Sequence, residues 1–146
     1  MPAHYPTLQA QLKADILEVL GAGSVVCFGR PKRPLTTLPH SVVRTSVSRE
    51  MEGPRRVRET YFFEIECRLP IVDPNDDGCE VYAMEQAELL VDRLAPHSEV
   101  TMPTPQVYAG VGNPNYVTMV EYVDSEDADP WIGFRLKFET QARTNQ

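Results

Sequence analysis

The chain has too few cysteines, too widely spaced, to build a fold on sulfur. Cys27, Cys67 and Cys79 are odd in number and form no CxxC pair, which argues against a disulfide framework or a zinc knuckle and predicts buried free thiols. No apolar run reaches the roughly 18–20 residues that cross a bilayer. The opening stretch MPAHYPTLQAQ lacks the basic and apolar regions of a secretory signal. The expectation is a soluble protein made inside the cell, with no membrane partner. Catalytic patterns are missing too. His4, His40 and His97 fall in a terminal tail, a loop and a helix-end loop, none beside a cysteine or serine in a nucleophile motif. Gly110 and Gly112 in AGVGNPN lack the GKS or GKT ending of a phosphate loop and precede a strand rather than a helix, so a hairpin turn explains them. No enzyme activity, catalytic residue, metal or cofactor is assigned.

What is present is charge, sorted along the chain. Between Arg30 and Arg58 stand eight of the fourteen basic residues against two acids, whereas Glu59 to Pro130 holds sixteen acids against two arginines. Like charges concentrated on one segment repel and favour a partner of opposite sign, and a chain carrying both can bind copies of itself head to tail. The net charge of −7 opposes general nucleic-acid binding, which draws on lysine and arginine. DNA would slide past such a surface without specific binding.

With 146 residues, 42% apolar and 24% charged, the composition is that of one globular domain spanning 1–146. Thirteen prolines predict long ordered loops, because proline fixes φ and removes a backbone donor.

Leu8, Leu12, Ile16, Val19 and Leu20 share one arc of a helix that Thr7 can cap and that Gly21 and Gly23 can end. Ser24 to Phe28 reads as a short buried strand, and GRPKRPLTTLPH as an extended Pro-rich basic loop. Val42 to Ser48 is a further strand, and a turn at Glu52, Gly53 and Pro54 leads into Arg58 to Leu69. There Tyr61, Phe63, Ile65, Cys67 and Leu69 alternate with Phe62, Glu64, Glu66 and Arg68, giving one apolar and one mostly charged face. Phe62, an aromatic on the wet face, is a candidate subunit contact. Val81, Met84, Ala87, Val91 and Leu94 mark a second amphipathic helix bounded by Pro96. Strands follow over Thr104 to Ala109, Tyr116 to Val123 and Trp131 to Thr140. The expected class is α+β: a mainly antiparallel sheet with two principal helices packed on one face and a long Pro-rich basic loop.

Two acidic clusters invite a metal. Asp73, Asn75, Asp77 and Gly78 match positions one, three, five and six of a calcium-binding EF-hand loop, but position twelve is Met84, Glu85 comes one residue late, and a strand precedes instead of a helix. Acids at a helix N-terminus account for Asp76, Asp77 and Glu80 without a metal. Asp124, Glu126, Asp127 and Asp129 lie in the connection between the last two strands, as a solvated tip or as an acidic face for a basic neighbour or a DNA-lined channel. On the basic side, Arg30, Lys32, Arg33, Arg55, Arg56 and Arg58 are interleaved with prolines rather than with stacking aromatics, which favours a protein partner over phosphate.

The order of N-terminal helix, strand, Pro-rich basic loop, aromatic strand (ETYFFEIECRL), amphipathic helix (VYAMEQAELLVDRL) and closing hairpin (NYVTMVEYV, WIGFRLKFET) resembles bacteriophage tail terminator, or tail completion, proteins. Related neck and head-completion proteins share this order. The resemblance implies a virion structural subunit, made in the host cytoplasm, that forms a ring, typically of six, on the head-proximal end of the tail tube. Such a ring ends tube polymerisation and docks to the head connector. The loop of Arg30 to Arg33 and the arm of Arg49 to Arg58 then occupy positions of intersubunit or tube contact, and the acidic loops face neighbours or the lumen. Other readings are a small acidic metal-binding domain and an adaptor that holds nucleic acid through the arginine arm.

Overall fold

The computed structural model describes residues 5–71, 78–94, 116–125 and 130–145. Two helices and a five-stranded sheet follow one another as α1 (Tyr5–Leu20), β1 (Val25–Phe28), β2 (His40–Gly53), β3 (Arg56–Leu69), α2 (Cys79–Leu94), β4 (Tyr116–Ser125) and β5 (Trp131–Asn145). The strands lie in the order β1-β2-β3-β5-β4, antiparallel except for β1, which runs parallel to β2 with Val25 opposite His40 and Phe28 opposite Val43. Parallel neighbours need a crossover, and residues 29–39 supply it. This gives the Pro-rich loop its structural reason. The class is therefore the expected α+β, with the antiparallel pairs dominant.

Strand alternation sends Val57, Tyr61, Phe63, Ile65, Cys67 and Leu69 of β3 to the core side. In β5, Ile132, Phe134, Leu136 and Phe138 do the same. Phe63 stacks between Tyr61 and Phe138, with centroids 6.4 and 6.0 Å away. The same cluster contains Leu8, Leu12 and Ile16 of α1 with Ala83, Ala87, Leu90 and Leu94 of α2. Both helices thus cover one face of the sheet and leave the other open.

Several local expectations are corrected. Helix α1 starts at Tyr5, so Thr7 is an early helical residue rather than the cap; Pro6 is tolerated in the first turn because its missing N–H would have no intrahelical partner there. At the other end Gly21 takes φ of 106°, and its N–H donates to the Leu17 carbonyl at 2.8 Å, closing the helix as expected. On α2 the expected Ala87 and Leu94 are buried and Val91 packs against the core, but Ala83 and Leu90 complete the buried face and Val81 is exposed. The β2–β3 hairpin is longer than the sequence suggests. Pairing runs to Gly53 opposite Arg56, with an irregularity between Met51 and Gly53, so Pro54 and Arg55 form the turn. All three cysteines are free, but only Cys67 is buried; Cys27 and Cys79 are half-buried.

Candidate interaction surface

The basic segment is divided between two places. Arg30, Lys32 and Arg33 are exposed on the crossover, while Arg55 and Arg56 are exposed at the turn of the hairpin. The 14 residues of β2 separate the crossover from that turn, or roughly 43 Å at the ordinary strand rise. Arg58 differs from the other candidates. Its guanidinium meets the Glu50 carboxylate and lies 3.3 Å from that of Glu52, so the two acids of the basic segment are used to hold one of its own arginines.

The open face of the sheet carries a charged lattice. Arg135 donates to Glu66 at 2.8 Å and lies 3.6 Å from Glu64 and 3.7 Å from Glu121. Arg68 donates twice to Glu66, at 3.0 and 3.2 Å, and its guanidinium sits 4.3 Å above the Trp131 ring. Partial burial pushes the Glu66 carboxyl up, but the hydrogen bonds and positive charges of Arg135 and Arg68 outweigh it and hold Glu66 below its ordinary value. The charged face anticipated for β3 is real, and it is largely neutralised within the chain. Arg135 is the hub that sequence reading did not single out. The available signal was alternation, which puts Arg135 on the wet face of β5, where the register sets it opposite Glu66.

The crossover leans over this lattice. Pro31 and Leu35 join His40, Val42, Arg44 and the lattice residues around a cleft of about 310 Å³. A second cleft of about 380 Å³ includes Phe62, Thr118, Lys137 and Glu139 in its lining. Arg44 and Glu64 line both, so the two adjoin. Phe62 is 40% exposed and stands on the wet face where alternation put it. His40, by contrast, is buried, its Nδ1 2.9 Å from the Thr37 carbonyl.

On the acidic side, Asp124 is exposed near the end of β4. Burial, reinforced by a hydrogen bond to Asp124, pushes the Tyr122 phenol up to about 12. Glu126, Asp127 and Asp129 lie outside the described residues, as do Asp73 to Asp77, His4, Pro96, His97, the expected strand Thr104 to Ala109, and the turn from Gly110 to Asn115. Gly78 directly precedes α2, and Glu85 is exposed on that helix. Among the described residues no three His, Cys, Asp or Glu side chains gather in a way that could hold a metal ion, and no helix is long and apolar enough to cross a membrane.

No protein-family model matches the chain, and no curated protein does. A solved structure does. One chain in the virion of a native gene transfer agent particle superposes with a TM-score of 0.63 at 14% identity, over 99% of this chain and 100% of that one. The two chains share a fold. The overlap covers nearly all of both chains, so the likeness concerns the full fold rather than a common motif.

Proposed function

We propose that the chain is a virion structural protein without catalytic activity. It forms a ring, six-membered by the family resemblance, at the head-proximal end of a phage-type tail tube. There it ends tube polymerisation and docks to the head connector. The observation that carries this reading is the end-to-end fold likeness to a chain of a virion particle. The charge distribution supports it. Exposed arginines on the crossover and the hairpin turn, and exposed acids on α2 and β4, place opposite signs on different surfaces of one subunit. Contacts between unlike surfaces repeat around a ring when the rotation closes. In this reading the partners are further copies of the chain, the tube protein and the connector, and the net charge of −7 lets DNA pass without specific binding.

Mass spectrometry and electron microscopy of purified particles test the proposal. The protein is expected at low copy number in virions, and its loss is expected to give tails of uncontrolled, excess length, since nothing then caps the growing tube. Absence from particles would sink the virion role. Tails of normal length left unjoined to heads would instead place the protein in the neck, among the head-completion proteins of the same virion.

A further inference from the structure

Helix α2 presents a second stripe opposite its buried one. With Ala83, Ala87, Leu90 and Leu94 facing the core, Val81, Glu85, Glu88, Leu89 and Asp92 fall within an arc of about 100° that points away from the sheet. All five are exposed, Val81 and Leu89 each to 54%. Glu85, Glu88 and Asp92 form no ion pair or hydrogen bond among the described residues. Two bare aliphatic side chains therefore stand among three unneutralised carboxylates.

The end of the β2–β3 hairpin is its counterpart in the opposite sign. Val47, Arg49 and Met51 alternate onto one side of β2, with Val47 37% and Met51 59% exposed. Arg55 stands in the turn and Arg56 opens β3 directly after it. These three arginines have no acidic partner among the described residues, in contrast to Arg58 with Glu50 and Glu52. A subunit cannot join the two surfaces on itself. The hairpin is part of the sheet, and the acidic stripe lies on the side of α2 that faces away from that sheet.

We propose that the hairpin end of one copy docks on the outward stripe of α2 of the next copy, Val47 and Met51 packing against Val81 and Leu89 while the three arginines meet the three carboxylates. The proposal names the contact for the ring described above and rests on that reading for closure, although the contact itself requires only a second copy of this chain. A nucleic acid suits only the arginine half, and a basic peptide only the acidic half. The chain's own second copy suits both at once, with matching apolar pairs. Because the joined surfaces differ, a joined pair still has one free hairpin and one free stripe for further neighbours. The charged part should weaken as salt shortens the Debye length, which is about 10 Å at 0.1 M, and the aliphatic part should not.

Sedimentation velocity of the purified full chain decides it. One variant reverses the hairpin (Arg49→Glu, Arg55→Glu, Arg56→Glu) and another the stripe (Glu85→Arg, Glu88→Arg, Asp92→Arg). The unaltered chain is expected to self-associate at low salt, and each variant alone to do so at least about tenfold more weakly. An equal mixture of the two should assemble again, with variants alternating, and that rescue also shows that both are folded. An unaltered chain that stays monomeric at low salt, a variant that assembles like it, or a mixture that fails to assemble would overturn the contact. A chain that passes yet is missing from particles overturns the virion reading alone. One present in particles whose mixture fails overturns only the contact.

Discussion

Arg93 of α2 donates from Nε to the Asp15 carboxylate of α1 at 3.1 Å, and a second of its nitrogens lies 2.5 Å from Glu18. Asp15 is wholly buried, whereas Arg93 is partly exposed at its helix end. Gln11 adds a hydrogen bond to the same carboxylate oxygen at 3.2 Å. One arginine thus ties the two helices together where they leave the apolar core.

Arg93→Ala should therefore lower stability by about 2–3 kcal/mol, less than the roughly 3–5 kcal/mol of a fully buried pair because Arg93 itself reaches solvent. Pairing it with Asp15→Asn should recover part of the loss, since no buried charge then loses its partner. Thermal unfolding of the single and double variants measures both. Equal melting temperatures for Arg93→Ala and the double variant would refute the coupling.

Gly133→Ala is expected to be among the most damaging single changes in the sheet. A Cβ built at Gly133 falls 1.9 Å from the Cys67 carbonyl oxygen and 3.2 Å from the Arg68 Cα, both backbone atoms that cannot swing aside. The β3–β5 pairing must open locally, at a cost of about 3 kcal/mol or more. Chemical denaturation should show a lower midpoint, and Gly53→Ala, where the added carbon meets nothing, serves as the control.

Acid should weaken the open-face lattice in a defined direction. Glu66 titrates lower in the folded chain than in the unfolded one, so its contribution to stability is fully present above the ordinary carboxylate range, about 4.3 for glutamate, and is lost as pH falls through the folded value. Glu66→Gln should melt below the unaltered protein at neutral pH, and the two should converge as pH drops toward 3. Parallel curves across that range would contradict the assignment.

Thiol chemistry should separate the cysteines. Burial pushes the Cys67 thiol up to about 12, with the Glu66 charge adding to the rise and the Ser41 hydroxyl, 3.2 Å away, opposing it. In the folded protein at pH 8, a thiol reagent should modify Cys27 and Cys79 first and reach Cys67 only on unfolding. Peptide mapping of the labelled protein gives the order.

Phe62→Ser probes the open face as a contact surface. At 40% exposure the change should alter folding stability by no more than about 0.5 kcal/mol. If this face meets a neighbour in the proposed virion, incorporation into particles should fall markedly even so. Normal incorporation would remove Phe62 from the set of interface candidates.

Legibility in the sequence followed the strength of each physical signal. The alternation in β3 and β5 is readable because large apolar residues fill one face almost without interruption, and the register carries both strands into one core. Helix α2 misled because its packing surface is built on Ala83 and Ala87. Alanine adds little apolar weight to a helical pattern, yet it fits where two helices sit close to a sheet, so Val81 drew the expected face toward solvent. β2 continues past the expected end at Ser48 through residues 49–53, of which only Met51 is apolar. Backbone pairing with β3 extends the strand there without an apolar pattern to announce it. The lattice around Arg135 depends on register between strands far apart in sequence, and composition does not encode that directly. The basic loop and arm were visible as charge, whereas the capture of Arg58 by Glu50 and Glu52 required knowing that residues eight and six apart face one another across a hairpin.

The crossover over residues 29–39 also has a thermodynamic side. Pro31, Pro34 and Pro39 narrow the conformations open to the unfolded segment, so less backbone entropy is lost when it takes up its native path. The basic side chains between them are mounted on a stiff bracket rather than a slack tether. A partner meeting Arg30, Lys32 and Arg33 would find them already held apart, and most of the cost of ordering that surface would have been met during folding.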